Sequence, residues 1–298
     1  MKIRFAVTPP AAALDGAVFG DYLAGVESRG FDTLWLSDVP LGPLGDPLLS
    51  LSWAAARTTR LKLGVNIVPL GRNPFLLARQ LAQLDRLAGG RLLLSFVPGL
   101  GQPAERAALG HPGGDRGRAL ESIIDLQRRW WAGETVTAAC EGFDYDAVAL
   151  NPGPLQQPLE IWLGGKGPAA LRRVARAGDG WLTSAVTPAE ARAGRRVIAA
   201  ELERCARSID EEHYGISIPV CAGEPGEALL APLRARREDR DLTDIVAVGA
   251  GKLRALVEAH LEAGISKFVL RPLGMLDSAT AWREDLDWMA DAVLPLQC

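Results

Sequence analysis

Histidine and cysteine, the usual metal ligands, are scarce in this chain and scattered along it. Among 298 residues there are three histidines and four cysteines. His111, His213 and His260 form no HxxxH or HxH pair, and Cys140, Cys205, Cys221 and Cys298 form no CxxC pair. Neither structural zinc nor a histidine-based metal centre is expected, and a chain of this size does not need disulfides. No run of 18 apolar residues occurs, so no membrane-spanning helix is expected. The first apolar run, Ile3-Arg4-Phe5-Ala6-Val7, turns at Pro9-Pro10 and is too short for a signal-peptide core. A cytoplasmic location is the resulting expectation. The net charge of −3 leaves no basic stripe for nucleic acid and no polybasic patch for anionic lipid. A GxxxxGK[ST] loop is also missing, which argues against nucleoside triphosphate chemistry, and no hydrolytic constellation is present.

What the chain does have is alternation. With 48% hydrophobic and 23% charged residues it can fill a large core. Short apolar runs at 3–8, 33–37, 61–68, 91–97, 159–163, 180–184, 215–221 and 267–271 read as strands. Between them, helical patterns cover 21–29, 47–58, 74–88, 115–133, 188–208 and 251–263, with a last one at 279–293. Gly30 stops the first, and residues 164–177 supply a glycine turn followed by a helix. Strand and helix alternating eight times imply parallel pairing, because each crossover helix returns the chain to the same end. An open doubly wound sheet could use the same units. The count of eight, the closing helix and the absence of a linker favour a (β/α)8 TIM barrel, one α/β domain over 1–298. Insertions are expected after the fourth strand, at 135–158, and after the seventh, at 222–248. The second carries Arg234, Arg236, Arg237, Glu238, Asp239, Arg240 and Asp241. It fits either a solvated, mobile excursion near the barrel mouth or a surface helix with no role.

In a barrel, reactive groups lie just past the C-terminal ends of the strands. That rule selects Asp38, Asn66, the segment from Pro98 to Gln102, Gly164-Gly165-Lys166-Gly167-Pro168, Ser184 and Arg271. The glycines let backbone N–H groups approach an anion, and Pro168 suits the first turn of a helix whose N-terminus attracts phosphate. A tight connection using glycine for geometry alone explains the same turn. Asp38 can accept or relay a proton, or it can cap the backbone of the next segment. His111 is a further acid candidate, or simply a solvated loop residue. So little acid–base equipment suits a cofactor that carries the reactive chemistry itself.

At these residues the sequence resembles the luciferase-like flavin and deazaflavin oxidoreductases. The resemblance runs through Gly30-Phe31-Asp32-Thr33-Leu34-Trp35-Leu36-Ser37-Asp38, Arg57 to Gly64, Arg72-Asn73-Pro74 and Leu84-Asp85-Arg86-Leu87-Ala88-Gly89-Gly90-Arg91. It continues through Pro158 to Gly165, Gly178-Asp179-Gly180-Trp181 and Ala263 to Arg271. The resemblance implies a barrel with the cofactor ring at the strand ends. Asn66-Ile67 would then lie in a third-strand bulge behind the ring, where relatives often carry a non-proline cis peptide, a mark of functional constraint. Val97 and Gly99 would border the ring, and Gly164, Gly165, Lys166 and Gly167 would meet the cofactor phosphate. Gln156-Gln157-Pro158, Leu171-Arg172-Arg173 and the segment from Asp210 to Gly215 look closest to the branch that uses coenzyme F420. There is one departure. Many deazaflavin members read Ser-Asp-His after the second strand, whereas Val39 follows Ser37-Asp38 here, removing the usual proton-donor candidate.

The expected activity is hydride transfer between reduced F420 and a small organic substrate, in either direction, with Asp38 polarising the ring or relaying a proton. An FMN-dependent monooxygenase using reduced flavin and oxygen fits the same scaffold, as does a barrel that binds cofactor without turnover. Leu48, Leu49, Leu51, Trp53, Leu76, Leu77, Leu81 and Leu84 can pack a homodimer or, more simply, the barrel itself.

Overall fold

Short apolar runs carry backbone N–H and C=O groups that, once buried, only a neighbouring strand can satisfy, and here each run pairs in parallel with the next. The computed structural model describes residues 1–99, 101–110, 113–274 and 279–298, without the side chains of Ala12 and Ala279. In chain order the strands are β1 (Arg4–Val7), β2 (Thr33–Ser37), β3 (Lys62–Ile67), β4 (Leu92–Phe96), β5 (Val136–Cys140), β6 (Phe143–Val148), β7 (Ile161–Leu163), β8 (Gly180–Ser184), β9 (Tyr214–Cys221), β10 (Ala247–Val248) and β11 (Lys267–Pro272). β1, β2, β3, β4, β7, β8, β9 and β11 pair in that cyclic order. The ring closes where Arg4 to Val7 meet Lys267 to Leu270. It is a TIM barrel.

The helices surrounding it are α1 (Gly16–Arg29), α2 (Pro47–Arg57), α3 (Pro74–Leu87), α4 (Pro103–Leu109), α5 (Arg116–Trp131), α6 (Pro168–Ala177), α7 (Pro188–Cys205), α8 (Glu227–Arg236), α9 (Gly249–Glu262) and α10 (Ala279–Val293). Their starts follow local chemistry. Asp46 accepts from the Leu48 and Leu49 N–H groups ahead of α2, and Asn73 accepts from that of Leu76 ahead of α3, each with proline at the first helical position. Outward-facing strand residues such as Phe5, Leu34, Leu63, Ile67 and Phe96 form one core with the helices. The lumen holds a second, smaller cluster of Ala6, Trp35, Leu182 and Val269, with Leu93 and Trp162 against it. Glycine makes room for the two indoles. A Cβ on Gly64 would lie 2.0 Å from the Trp35 ring, and one on Gly180 would lie 2.4 Å from that of Trp162. The indoles thus plug the middle of the lumen, above a cavity of about 130 Å³ that opens among Arg4, Asp32, Lys62 and Lys267 at the N-terminal ends of the strands, and the C-terminal ends form the mouth.

Both insertions are more ordered than a loop reading predicts. After β4 the chain adds α4 and α5 and then the antiparallel hairpin β5–β6, turned by Glu141 and Gly142 at φ 52° and 82°. Tyr145 of β6 meets the Trp130 ring of α5 edge-on at 4.9 Å. After β9 come α8 and β10, the latter paired on Val220 and Cys221. This segment is not a solvated excursion. Leu233, Leu242, Ile245 and Val246 form an apolar cluster of their own, and the Arg237 side chain, 1% exposed, is ion-paired with Glu190 and Asp239.

Several residues that carry the family resemblance turn out to be fasteners. Buried Asp85 accepts from the N–H groups of Leu155 and Gln156 and from the Gln156 amide. Arg91 donates to the carbonyls of Ala55, Thr58 and Leu61 at the end of α2. Asp179 accepts from the Ile161 N–H and pairs with Arg128.

His260 on α9 is fully buried, and neither ring nitrogen has a partner. Burial pushes its pKa down to about 4. The unfolded chain therefore binds the proton first, and stability is lost as pH falls from about 6.5 to about 4, by about 3 kcal/mol for this group. Urea unfolding across that range should show a shallower pH slope for His260→Leu than for the parent protein. Equal slopes would contradict the assignment.

Candidate active site

The strand positions above the indoles line the mouth. Successive side chains point to opposite faces, so counting up from Ala6, Trp35 and Leu93 turns Thr8, Ser37 and Ser95 inward. The same alternation brings Asn66, Val97, Gly164 and Arg271 to the rim. The Asn66 amide donates to Ser37 Oγ at 3.2 Å. Ser95 Oγ is buried without a hydrogen-bond partner. On the β2–β4 side the mouth is therefore polar and bears no charge at these three positions.

The expected bulge at Asn66-Ile67 is corrected by the structure. β3 pairs in unbroken register with Ser37 on one side and with Ser95 and Phe96 on the other. Among the described residues the cis peptide bonds are Asn151-Pro152 and Gln157-Pro158, and Asn66-Ile67 is trans. The ladder leaves no room for a bulge, because the Asn66 carbonyl accepts from the Asp38 N–H and that of Ile67 from the Val97 N–H. Ile67 turns its side chain into the outer core, so only Asn66 presents a side chain to the mouth.

Asp38 is buried just beyond β2. Its Oδ2 accepts from the Val68 N–H at 3.1 Å and from Arg72 Nη2 at 2.8 Å. Arg72 in turn donates through Nε to the Val68 carbonyl. The carboxylate thus ties the end of β2 to the β3–α3 connection, a long-range role different from capping the segment that follows it. Val39 beside it closes a turn in which the Gly42 N–H donates to the Val39 carbonyl. It supplies no proton. His111 lies outside the described residues, while His213 lies at the opposite end of the barrel, before β9.

Sequence reading missed a carboxylate beyond β4. Glu105, in the first turn of α4, is buried and accepts from the Gly101 N–H at 3.0 Å. Gly99 has φ +79°, and a Cβ there would lie 3.6 Å from both Glu105 oxygens. Its carbonyl accepts from Arg116 Nη1. The signal available was Pro103 followed two residues later by an acidic side chain, an opening for a short helix.

The glycine turn after β7 has the features of an anion cradle. A Cβ on Gly164 would lie 3.0 Å from Val97, and Gly165, at φ +109°, would place one 2.7 Å from Ala170. Only glycine brings the backbone this close. Gly167, the N-cap of α6, has no side chain to cap it, so the Ala169 and Ala170 N–H groups lack a side-chain acceptor. The next helix differs: α7 closes its start with a Thr187–Glu190 capping box. Lys166 is exposed beside the open end, and its pKa is lowered first by partial burial and then by the nearby Arg237 charge. Orphaned Ser95 Oγ, the glycine cradle and the uncapped helix together fit a bound group that has both a polar ring and a phosphate.

The family model for luciferase-like monooxygenases matches residues 3–289. The chain belongs to this family. Its relatives differ in activity. It is 30% identical over 173 residues to an F420-dependent glucose-6-phosphate dehydrogenase of Kineococcus radiotolerans, covering 54% of this chain and 50% of that one. It is 33% identical over 167 residues to limonene 1,2-monooxygenase of Rhodococcus erythropolis, covering 54% and 43%. The chain spans about half the length of the curated relatives it matches. Among solved structures, the FMN complex of the oxygenating constituent of 3,6-diketocamphane monooxygenase from Pseudomonas putida superposes with a TM-score of 0.82. It is 15% identical, with 99% of each chain covered, a likeness of fold. No described helix is long and apolar enough to cross a membrane, and no three His, Cys, Asp or Glu side chains group to hold a metal ion among the described residues.

The Asp38–Arg72 pairing can be separated from a free proton relay. A double-mutant cycle of Asp38→Ala and Arg72→Ala should give a coupling of about 1–3 kcal/mol in urea unfolding. A coupling near zero would show that the carboxylate is not held by the guanidinium.

Proposed function

We propose that this luciferase-like chain is an oxidoreductase that binds reduced coenzyme F420 in the barrel mouth and exchanges hydride with a small organic substrate. The observation that carries the reading is the glycine turn at 164–167, opening onto the uncapped start of α6 beside Lys166. Sequence likeness to F420-dependent dehydrogenases supports this choice of cofactor. A bound reduced deazaflavin would supply a two-electron hydride donor that reacts poorly with oxygen.

The residues of the chain then divide the remaining work. Gly164, Gly165, Lys166 and Gly167 hold the phosphate through N–H groups and one positive charge. Asn66 and Ser95 offer an amide and a hydroxyl to the ring, while Val97 and Gly99 border it. Asp38 acts as a positioning residue: its carboxylate fixes Arg72 and the β3–α3 connection, so it orients the rim rather than giving up a proton. Glu105 is the other carboxylate behind that rim.

The likeness to limonene 1,2-monooxygenase gives a second reading, reduced FMN with oxygen in the same mouth. Anaerobic titration with reduced F420 and with reduced FMN separates the two. The F420 reading expects saturable binding of F420 at least about tenfold tighter than FMN, a gap of about 1.4 kcal/mol. It also expects Lys166→Ala to weaken that binding. Tight FMN binding without F420 affinity would overturn it.

We also propose a homodimer through α2 and α3, where Leu49 and Leu76 are 74% and 51% exposed while Leu51, Leu77, Leu81 and Leu84 are buried. Light scattering should give twice the chain mass, and Leu49→Glu with Leu76→Glu should give the monomer. A monomeric parent protein would refute this assembly.

A further inference from the structure

Arginine side chains around the mouth differ in whether their charge is matched. Arg72 is paired with Asp38, Arg237 with Glu190 and Asp239, and Arg116 donates to a carbonyl. Arg271 at the end of β11 stands apart. Among the described residues its guanidinium has no hydrogen-bond or ion-pair partner. It is partly buried, and its pKa is lowered first by desolvation and then by a second cation, Arg236. Arg236, on α8, also lowers the pKa of Lys166. A desolvated guanidinium with no anion beside it among the described residues is costly unless a ligand brings one.

Its position identifies which ligand. β11 pairs with β1, and Val7 is opposite Leu270, so the next residues, Thr8 and Arg271, are neighbours that both turn inward. On the other flank Arg271 is opposite Pro219, which carries no charge. A five-donor fork beside a hydroxyl suits a planar carboxylate or a phosphate oxygen. β11 lies three strands round the ring from β7, across β8 and β9. The glycine turn and Arg271 therefore sit on different strands of the rim, with β8 and β9 between them.

We propose that Arg271, with Thr8 beside it, is an anion subsite that seats a carboxylate or phosphate of the substrate, on a different part of the rim from the cofactor cradle. This rests on the oxidoreductase reading for the word substrate, but the anion subsite itself does not depend on it. The substrate is then a small organic anion, held by its charged end on the β11 side while its reacting carbon faces the ring. A neutral terpene or alcohol would leave the guanidinium unmatched.

Calorimetric titrations of the purified chain test this, with acetate and inorganic phosphate as probes, first alone and then with saturating reduced F420. Saturable binding of at least one probe is expected. Arg271→Gln should weaken it by about tenfold to a hundredfold, the size expected for a charge-assisted hydrogen-bond pair. Arg271→Lys should recover part of the loss. F420 affinity should change less than about twofold in both variants, and thermal stability should be unchanged or raised, because an unmatched charge is removed. Absence of saturable anion binding in the parent protein would overturn the proposal. So would Arg271→Gln weakening F420 binding while leaving anion binding intact, which would assign the charge to the cofactor. If F420 does not bind at all, the F420 reading fails, yet Arg271-dependent acetate or phosphate binding would still support the subsite.

Discussion

Closure of the parallel ladder between β11 and β1 sets the conditions for everything else in this protein, because it removes free sheet edges and fixes which residues share the lumen. Once the ring is closed, its interior must be filled. Trp35 and Trp162 fill it from opposite walls only because Gly64 and Gly180 offer no side chain. The two indoles plug the lumen below the mouth. The mouth is left with short polar side chains on β2, β3 and β4, backbone donors on the β7 turn and a cation on β11. Packing below the mouth confines chemistry to that end.

Charge at that end is distributed unevenly. Two guanidinium groups there are spent on structure: Arg72 locks the β3–α3 connection, and Arg237 pins the insertion that carries α8. Those bonds order the rim without competing for a ligand. Among the described residues Lys166 and Arg271 have no such partner, and Arg236 lowers the pKa of both. A ligand pair with one anionic group at each, cofactor phosphate at Lys166 and substrate anion at Arg271, would balance the site.

Much of the barrel was legible because its signals are local. Apolar runs of period two, proline at helix starts and glycine after helix ends mark the eight βα units one at a time, and no long-range information is needed. The β5–β6 hairpin was hidden by its composition, since Ala138, Ala139 and Asp144 give weak alternation. α4 was hidden by being two turns long. The site was less legible for a different reason. Asp38 and Arg72 are 34 residues apart, so nothing near Asp38 reveals that its charge is already matched. The bulge expected at Asn66 came from likeness rather than from residues, and the continuous ladder through Ser37 and Ser95 excludes it. Several residues behind the resemblance, among them Asp85, Arg91 and Asp179, hold the scaffold together. They identify the family well and say little about which cofactor it carries.

The central claim is that the β7 turn and the start of α6 hold the phosphate of a deazaflavin. A crystal structure of the protein with reduced F420 tests it most directly. The account expects the phosphate within hydrogen-bond distance of N–H groups between Gly165 and Ala170, with the ring on the Asn66 side of the mouth. A phosphate bound elsewhere, with those N–H groups facing solvent, would contradict it.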